Sequence, residues 1–473
     1  MNKFVMVIDE GTTGTRALIF DKDLQIVSQA YEEFTQYTPA EDKVEHDATE
    51  IYEKSVRLCK EAMETAGIGP SAIDSIGITN QRATCLVWDK ETGQPLHKAI
   101  VWQDTRTADF CAELNQLDWA EEIRKTTGWA ITPVYSSLML HWLMKNDANI
   151  KARVEEGSVC FGTIDTYLIW KLTGGNVHAV SYSNASVMGS YDLEKREWYG
   201  KFLDYLGIPL SVFPEVRYDS GDFGKTVPEI FGSEIAITSS IADQHAALFA
   251  QGCLEAGTGK VTNGTGTFLD FNVGDKCVIS DHGLNTVIAW DIGDGPMYAL
   301  EGYAAVTGSA VQWLRDGIKL IESSKESETV ARSVEDSNGV YFVPALAGLS
   351  APYHDPYARG MIIGITRGTT EAHIVRATLE AIAFRCRDIV DCVEKESGVK
   401  VSGISIDGGA SKNNLLAQLM ADFMKAEVRR PASVEATSLG AAMMAGLATG
   451  YYTKEMLGNG LESEKVFEPQ MPA

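Results

Sequence analysis

A short turn rich in glycine and threonine joins two apolar segments near the start of the chain. The apolar segments are residues 6–8 and 17–20, and the turn between them runs Asp9-Glu10-Gly11-Thr12-Thr13-Gly14. Glycine lets the backbone approach an anion closely, and threonine offers a hydroxyl and an amide as hydrogen-bond donors. An aspartate at the end of a strand can hold a magnesium ion through water. The turn therefore predicts a phosphate site, with a tight hairpin turn of purely structural role as the alternative.

The same pattern recurs further along the chain. Residues 260–271 form two apolar segments joined by the turn Asn263-Gly264-Thr265-Gly266. A third glycine turn, Asp407-Gly408-Gly409-Ala410, leads through Asn413 into an apolar run at 415–420. Two turns that could clasp a phosphate chain and one that could support a nucleoside favour a split nucleotide site over three unrelated turns.

Two more familiar nucleotide signatures are incomplete. Gly224-Lys225-Thr226 matches the end of a P-loop, but the motif needs a glycine where the chain has Asp219. A dinucleotide fingerprint that begins at Gly257 and Gly259 fails at Thr262. The sequence therefore favours neither a P-loop nor a dinucleotide-binding site.

Composition limits the classes of partner. The chain has 473 residues, of which 45% are hydrophobic and 22% charged, as in ordinary globular proteins with two or three domains. The formal net charge of −24 argues against nucleic acid and anionic membranes as partners, because both select basic surfaces. The eight cysteines contain no C-x-x-C pair, and no apolar run reaches the length of a membrane span. We expect a cytoplasmic protein without a signal peptide.

Short strands alternate with amphipathic helices along the whole chain, which indicates an α/β fold. The pattern predicts a helix over 49–66, a buried strand over 73–79 and a helix over 138–144. A domain break is expected near 249–259, just before the second glycine turn, which gives domains of 1–250 and 251–473.

Several ordered segments carry a resemblance that covers the chain from about residue 7 to residue 469. The most specific are 77–82 (Gly-Ile-Thr-Asn-Gln-Arg), 99–103 (Ala-Ile-Val-Trp-Gln), 161–166 (Phe-Gly-Thr-Ile-Asp-Thr), 243–244 (Asp-Gln), 312–316 (Gln-Trp-Leu-Arg-Asp) and 351–360 (Ala-Pro-Tyr-His-Asp-Pro-Tyr-Ala-Arg-Gly). The chain resembles the FGGY family of carbohydrate kinases, and within it the glycerol kinases. The resemblance implies two ribonuclease H-like domains of the actin-like ATPase and sugar kinase fold, with the active-site cleft between them. It also implies ATP and Mg²⁺ as cofactors and a small polyol or sugar as substrate.

The resemblance assigns roles to individual residues. Asp243 is the carboxylate that orients the attacked hydroxyl and accepts its proton, and Asp9 and Asp243 are the expected magnesium ligands. Residues expected to bind ATP are Thr12, Thr13, Arg16, Gly264, Thr265, Gly266, Gly308, Gln312, Gly409, Ala410 and Asn413. Residues expected to contact the substrate are Arg82, Trp102, Tyr135, Asp243, Gln244 and Phe268.

Three positions depart from the family pattern. Glu10 stands where glutamine is usual, so that its carboxyl either binds the metal or points away from the phosphate site. Ala83 replaces a glutamate and Val134 a tyrosine, and both changes remove bulk and a polar contact from the substrate side. Losing a carboxylate that accepts from a hydroxyl costs about 1.5–3 kcal/mol. The substrate is therefore either glycerol, with Tyr135 replacing the lost tyrosine, or a four- or five-carbon polyol or ketose such as erythritol, threitol, xylulose or ribulose.

A non-catalytic, ATP-driven binding protein of the same fold is the remaining alternative. Arg82, Trp102, Asp243 and Gln244 argue against it, because such a protein has no need of a polyol site. The resemblance further implies a homo-oligomer, either a dimer or a tetramer.

Overall fold

The computed structural model describes residues 3–432, 435–457 and 462–471. The chain folds into two compact units. Unit 1 comprises Met1–Ala250, Val287–Met297 and Glu435–Asn459, and unit 2 comprises Gln251–Thr286, Tyr298–Val434 and Gly460–Ala473. Val287–Met297 and Glu435–Asn459, which the sequence analysis assigned to the second domain, therefore belong to unit 1.

Strands and short helices alternate along the chain, as the sequence predicted. The strands are β1 Phe4–Glu10, β2 Gly14–Phe20, β3 Ile26–Glu33, β4 Tyr37–Ala40, β5 Lys43–His46, β6 Ile73–Asn80, β7 Cys85–Asp89, β8 Ala99–Ile100, β9 Val159–Thr163, β10 Ala179–Ser181, β11 Tyr191–Asp192, β12 Glu197–Trp198, β13 Glu215–Arg217, β14 Ala236–Ala242, β15 Thr258–Asn263, β16 Thr267–Gly274, β17 Asn285–Asp291, β18 Pro296–Ala304, β19 Tyr341–Val343, β20 Met361–Ile363, β21 Gly403–Asp407, β22 Glu427–Pro431 and β23 Ser463–Phe467. The α-helices are α1 Ala48–Ala66, α2 Ala108–Leu114, α3 Ala120–Thr127, α4 Ser136–Asn146, α5 Ala148–Glu155, α6 Ile164–Leu172, α7 Tyr182–Ser186, α8 Gly200–Leu206, α9 Pro228–Phe231, α10 Asp243–Ala250, α11 Gly308–Gln312, α12 Glu326–Ala331, α13 Glu371–Ser397, α14 Asn414–Met424, α15 Ala436–Thr449 and α16 Lys454–Leu457. Short 3₁₀ turns cover Pro70–Ala72, Leu210–Val212 and Gly409–Lys412, and a π-helical turn covers Trp313–Gly317.

Unit 1 is built on a five-stranded sheet with the order β14-β6-β1-β2-β3. β1 is antiparallel to β2 and parallel to β6, and β6 is parallel to β14. Nearly every residue of β1, β2, β6 and β14 is buried, which explains their continuous apolar runs. Because β1, β6 and β14 are parallel, their carboxyl ends lie at one edge of the sheet, where ligands bind in folds of this kind.

The α15 helix explains why residues from near the end of the chain belong to unit 1. It packs on β1, β6, β14 and α10. Its small residues allow a close approach: a Cβ added at Gly440 would lie 2.0 Å from the carbonyl oxygen of Ala246 in α10. The central strands of unit 1 are therefore covered by a helix from near the end of the chain, and local sequence patterns do not indicate this packing.

A second sheet of unit 1 has the order β4-β5-β8-β7-β9. The predicted helix at 49–66 is confirmed as α1, where Asp47 caps the first turn by accepting from the backbone N–H groups of Thr49 and Glu50. The predicted strand at 73–79 and helix at 138–144 are confirmed as β6 and α4.

In unit 2, β16 lies between β15 and β18, and β21, β22 and β23 follow on the other side of β15. β15 and β16 form the antiparallel hairpin around the second glycine turn, and β15 is parallel to β21. The carboxyl ends of β15 and β21 therefore bring the second and third glycine turns to the same edge of this sheet. The long α13 and α14 helices pack on each other.

Candidate active site

The first glycine turn is closed by a hydrogen bond from the backbone N–H of Gly11 to the carbonyl of Gly14, 3.1 Å long. Thr13 is exposed at its tip, and Thr12 is half-buried. The hydroxyl of Thr12 accepts from Nε1 of Trp102 over 3.1 Å. The turn thus contacts one of the residues predicted to bind the substrate.

Asp9 is the penultimate residue of β1, next to the first glycine turn, and is only 8% exposed. Its Oδ2 accepts from the hydroxyl of Ser438 over 2.5 Å. Burial raises the pKa of Asp9 to about 6, and the nearby carboxylates of Asp243 and Glu435 act in the same direction, whereas Ser438 and Arg16 oppose it. A buried carboxylate with this environment is suited to bind a cation that replaces the lost hydration.

Glu10 is fully buried and points away from this edge. One carboxyl oxygen accepts from the hydroxyl of Thr15 over 2.7 Å. The other lies 2.6 Å from the hydroxyl oxygen of Ser55 on α1, which is also 2.7 Å from the carbonyl of Ile51, so that Ser55 can donate to Ile51 and accept the proton of a neutral Glu10. Burial raises the pKa of Glu10 to about 8. Of the two alternatives for Glu10, the structure shows the second: it is a carboxyl kept neutral near pH 7 in the interior, and it resembles the usual glutamine in charge as well as in size.

Arg16, the remaining predicted phosphate residue of unit 1, forms an ion pair with Glu435, and its guanidinium also faces the ring of Tyr31. Neither Glu435 nor Ser438 was predicted as part of the site. Both lie more than 400 residues from their partners, at the start of α15, so no spacing in the sequence could have indicated them.

Asp243 is the first residue of α10 and directly follows β14. Its Oδ1 accepts from the backbone N–H of Gln244 over 2.7 Å and lies 3.7 Å from Nε of Arg82. Arg82 follows β6, whose last residue Asn80 pairs in register with Ala242 of β14. Parallel pairing of these two strands is what brings the predicted carboxylate and the predicted guanidinium together.

Gln81 and Thr84 were not predicted, yet they connect the substrate residues to the first glycine turn. The side-chain amide of Gln81 donates to the carbonyl of Gly11 over 3.1 Å, and its Oε1 accepts from the hydroxyl of Thr84 over 2.9 Å. Thr84 Oγ1 in turn accepts from the backbone N–H of Trp102 over 3.2 Å. These bonds fix Trp102 relative to the turn.

The prediction for Tyr135 needs correction. The side chain is fully buried, its hydroxyl donates to the carbonyl of Trp129 over 2.7 Å and shares a 2.8 Å hydrogen bond with Thr127. A Cβ on Gly189 would lie 2.1 Å from its ring, so the pocket around the ring is full. Because its side chain is not exposed and its hydroxyl is hydrogen-bonded within the core, Tyr135 is a core residue. It does not take the place of the substrate-binding tyrosine that the family carries where this chain has Val134.

Ala83 is buried and adopts a left-handed backbone conformation with φ of +60°. Its carbonyl accepts from the hydroxyl of Ser136 over 2.8 Å, while the N–H of Thr84 donates to the carbonyl of Arg82 over 2.7 Å. The tight turn at 82–84 aims Arg82 and Thr84 in the directions described above.

Unit 2 holds the other two glycine turns. Gly264 donates from its N–H to the carbonyl of Gly266 over 2.9 Å, and the N–H of Gly308 donates to the carbonyl of Gly264 over 3.0 Å. A Cβ on Gly308 would lie 2.4 Å from that same carbonyl oxygen. Glycine is therefore required at 308 for α11 to begin against the turn.

A cavity of about 580 Å³ lies between these turns. Six of the predicted ATP-binding residues line it, namely Gly264, Thr265, Gly308, Gly409, Ala410 and Asn413. Two others do not: Gly266 is buried within the turn, and Gln312 is exposed at the end of α11. Phe268, predicted to contact the substrate, is half-buried in β16 with its ring 4.6 Å from that of Tyr303.

The other side of this cavity comes from residues that the sequence did not single out: Ser324, Lys325, Ser327 and Glu328. The side-chain amide of Asn413 donates to the hydroxyl of Ser327 over 3.2 Å, and the N–H of Asn414 donates to Glu328 over 2.9 Å. This segment has no glycine pattern, and only its contacts with the third turn place it in the site.

Within the described ranges, 3–432, 435–457 and 462–471, the structure has no cluster of three or more histidine, cysteine, aspartate or glutamate side chains that could hold a metal. Across the same residues, none of the helices is both long and apolar enough to pass through a bilayer.

Comparison with known proteins adds independent information. Residues 4–250 match the model of the FGGY family of carbohydrate kinases, N-terminal domain, and residues 259–449 match that of its C-terminal domain. Glycerol kinase 2 of Thermotoga maritima is 48% identical over 470 residues, which cover 99% of this chain and 95% of the relative. A glycerol kinase of Francisella philomiragia is 47% identical over 471 residues, covering 99% and 94%.

Among solved structures, a Plasmodium falciparum glycerol kinase with ADP is 34% identical, with a TM-score of 0.94, and the match covers 100% of this chain and 95% of that one. A ligand-bound xylulose kinase from Lactobacillus acidophilus is 20% identical, with a TM-score of 0.88 and coverage of 99% and 94%, and therefore shows the shared fold alone. The expected two-domain α/β fold of the sugar kinases is confirmed.

Proposed function

The chain belongs to the FGGY family of carbohydrate kinases, and from that premise we propose that it transfers the γ-phosphate of ATP to a terminal hydroxyl of glycerol. Full-length relatives that are 45–48% identical and named glycerol kinase support the choice of acceptor. The observation that carries the proposal is the Asp243–Arg82 pair at the carboxyl ends of two parallel strands, in the same unit as the first glycine turn.

Asp243 is proposed to be the catalytic carboxylate. Its side chain is 27% exposed, so an acceptor hydroxyl can reach it. Phosphoryl transfer depends mainly on alignment and charge neutralisation. Asp243 would orient the acceptor hydroxyl in line with the γ-phosphorus and take its proton as the new P–O bond forms and the bond to ADP breaks. Arg82, Trp102 and Gln244 are proposed to bind the acceptor.

We place ATP in the 580 Å³ cavity of unit 2. Its volume lies within the usual range of small-molecule sites. Backbone N–H groups of the second glycine turn would bind phosphate, and the third turn with Asn413 would support the nucleoside. Thr12, Thr13 and Arg16 are the proposed phosphate ligands of unit 1.

Mg²⁺ is the proposed metal, because the residues present suit it. Magnesium is usually held by one or two carboxylates, with water and substrate phosphates as the other ligands. Asp9 and Asp243 supply two carboxylates whose charges influence each other. Bound there, the ion would neutralise charge on the transferring phosphate, and Asp9, held by Ser438, would keep a fixed orientation towards it.

A second acceptor class, four- or five-carbon polyols and ketoses, is favoured by one observation. Ala83 and Val134 remove a carboxylate and a phenol from the substrate side, and the fully buried Tyr135 does not replace them. The smaller side chains and the lost contacts both favour a longer acceptor with additional hydroxyls.

We further propose a homo-oligomer, a dimer or tetramer, on the basis of the family resemblance, and a cytoplasmic location. Seven of the eight cysteines are buried as free thiols, as is usual in a reducing compartment. Light scattering coupled to size-exclusion chromatography would measure the oligomeric state, and a molar mass of about 51.5 kDa would overturn that part of the proposal.

The proposal is tested by ADP formation from Mg-ATP with glycerol, erythritol, threitol, xylulose and ribulose. Asp243→Asn removes the proton acceptor, and Asp118→Asn, a change of the same type in an exposed loop, serves as control. We expect glycerol-dependent ADP formation that Asp243→Asn abolishes. ADP formation that favours a longer acceptor would support the second candidate, and the same background rate with every acceptor would contradict both.

A further inference from the structure

The guanidinium of Arg82 lies near a carboxylate and near an aromatic ring. Nε is 3.7 Å from the carboxylate of Asp243, and Cζ lies 6.0 Å from the centre of the Trp129 ring. The side chain is only 14% exposed. A cation within about 6 Å of an aromatic centroid is attracted to the ring face, most strongly for tryptophan. The guanidinium is therefore within reach of both the Asp243 carboxylate and the face of the Trp129 ring.

Trp129 is itself held in place. It is 8% exposed and follows α3, which ends at Gly128 in a left-handed conformation. Its carbonyl accepts from the hydroxyl of Tyr135 over 2.7 Å. Tyr135 is in turn fixed by Thr127 and by its close packing on Gly189. The buried tyrosine thus anchors the peptide of Trp129.

Ala83, the next residue in sequence, and Val134, the other substrate-side position that departs from the family pattern, cannot orient the guanidinium of Arg82. A guanidinium is oriented either by hydrogen bonds to carboxylates or by stacking on an aromatic ring. The side chains of Ala83 and Val134 offer neither. The aromatic ring that the structure brings to Arg82 is Trp129, from a segment almost 50 residues further along the chain.

We propose that Trp129 is a positioning residue of the acceptor site: its ring holds Arg82 beside Asp243, so that the guanidinium is preorganised for the hydroxyls of the acceptor. This inference rests on the proposed function and deepens it, because it names a residue that positions a side chain proposed to bind the acceptor. A cation–π contact attracts the guanidinium to the ring without providing a conventional hydrogen-bond acceptor that would compete with the substrate.

The test uses two substitutions of different severity. Trp129→Leu removes the aromatic face, and we expect the KM for the acceptor to rise about tenfold while kcat stays within about threefold and the KM for ATP within about twofold. Trp129→Phe keeps an aromatic face and should restore the acceptor KM to within about threefold of the original. Equal damage from both variants, or an unchanged acceptor KM in Trp129→Leu, would overturn the proposal.

Trp119 supplies a matched control. Its ring lies 4.7 Å from Nζ of Lys201 in the same unit, but neither residue belongs to the proposed site. Trp119→Leu therefore removes a comparable cation–aromatic contact and should leave the acceptor KM unchanged. A rise as large as that of Trp129→Leu would show a general loss of structure and contradict the positioning role.

A spectroscopic measurement keeps the inference testable if glycerol proves not to be the acceptor. The indole N–H resonance of Trp129, assigned by its disappearance in Trp129→Phe, should shift in Arg82→Ala without any ligand present. Lys201→Ala should shift the resonance of Trp119 and leave that of Trp129 unchanged. If the Trp129 resonance does not shift in Arg82→Ala, the contact between Arg82 and Trp129 is wrong and the proposal is overturned. If the resonance shifts but the enzyme is inactive on glycerol, only the proposed acceptor is overturned.

Discussion

Asp9 and Glu10 are adjacent carboxyl residues at the end of one strand, and the structure gives them opposite tasks. Asp9 lies at the edge of the sheet beside the charges of Arg16 and Asp243, while Glu10 points into the interior between two hydroxyl groups. The alternating direction of side chains along a strand separates them. One carboxyl is therefore proposed for metal binding, and its neighbour contributes to the folded core in neutral form.

Glu10→Gln is predicted to stabilise the protein at neutral pH. The pKa of Glu10 is raised from 4.5 to about 8, so the folded state binds a proton that the unfolded state releases above pH 4.5. Stability contributed by this group is therefore present below pH 4.5 and lost as pH rises towards 8. Glutamine has no such loss, and the variant should gain about 3 kcal/mol in free energy of unfolding near pH 7.

Urea unfolding at pH 5, 7 and 8.5 measures this difference. The gain from Glu10→Gln should be smallest at pH 5 and largest at pH 8.5. Glu113→Gln, the same change at an exposed residue of α2, should show no such trend. A gain that does not vary with pH would contradict the neutral, buried state of Glu10.

Ala83→Gly is predicted to be neutral or stabilising, by up to about 1 kcal/mol, although glycine usually destabilises. Ala83 has φ of +60°, a conformation that is costly for residues with a Cβ. Thermal unfolding of this variant can be compared with that of Ala48→Gly in the first turn of α1, where the loss of Ala should destabilise. A clear destabilisation by Ala83→Gly would indicate that its methyl group contributes packing of its own.

At the level of elements, the ATP proposal depends on how closely α11 begins against the second glycine turn. A Cβ in Gly308→Ala would lie 2.4 Å from the carbonyl oxygen of Gly264, so either the turn or the helix must move. We expect the KM for ATP to rise at least about tenfold while the KM for the acceptor stays within about twofold.

Gly403→Ala is the control for this element, since a Cβ there would meet its nearest neighbour, Thr258, at an ordinary 3.7 Å. It should leave both KM values unchanged. If Gly308→Ala raised the acceptor KM and not the KM for ATP, the assignment of the unit 2 cavity to the nucleotide would be wrong.

At the level of the whole molecule, the proposal assigns ATP mainly to unit 2 and the acceptor to unit 1. Hydrogen exchange followed by mass spectrometry should therefore show two patterns. ADP should protect peptides around 263–266, 308–312 and 409–413, and the acceptor should protect peptides around 82–84 and 243–244. If the acceptor, added without nucleotide, protected the unit 2 peptides and not those of unit 1, the assignment of the acceptor to unit 1 would be wrong.

The sequence predicted the glycine turns and their flanking strands because these depend on local composition. Asp243, the proposed catalytic carboxylate, and Arg82 were predicted from the family resemblance, and the parallel pairing of β6 and β14 explains why they lie close together. Ser438, Glu435 and the 324–328 segment were not predicted, because tertiary contacts across more than 80 residues bring them to the site. Tyr135 was predicted to contact the substrate, but its side chain is buried in the core. Its burial depends on Gly189 and on the carbonyl of Trp129, which its neighbours in sequence do not indicate.

Glycerol kinase activity is tested by the steady-state kcat/KM for glycerol with Mg-ATP, measured beside erythritol, threitol, xylulose and ribulose and repeated with Asp243→Asn. We expect glycerol to have a kcat/KM at least about tenfold above that of every longer acceptor. We also expect Asp243→Asn to lower kcat by about 100-fold or more. A longer acceptor with the higher kcat/KM, or full activity in Asp243→Asn, would contradict the proposed function.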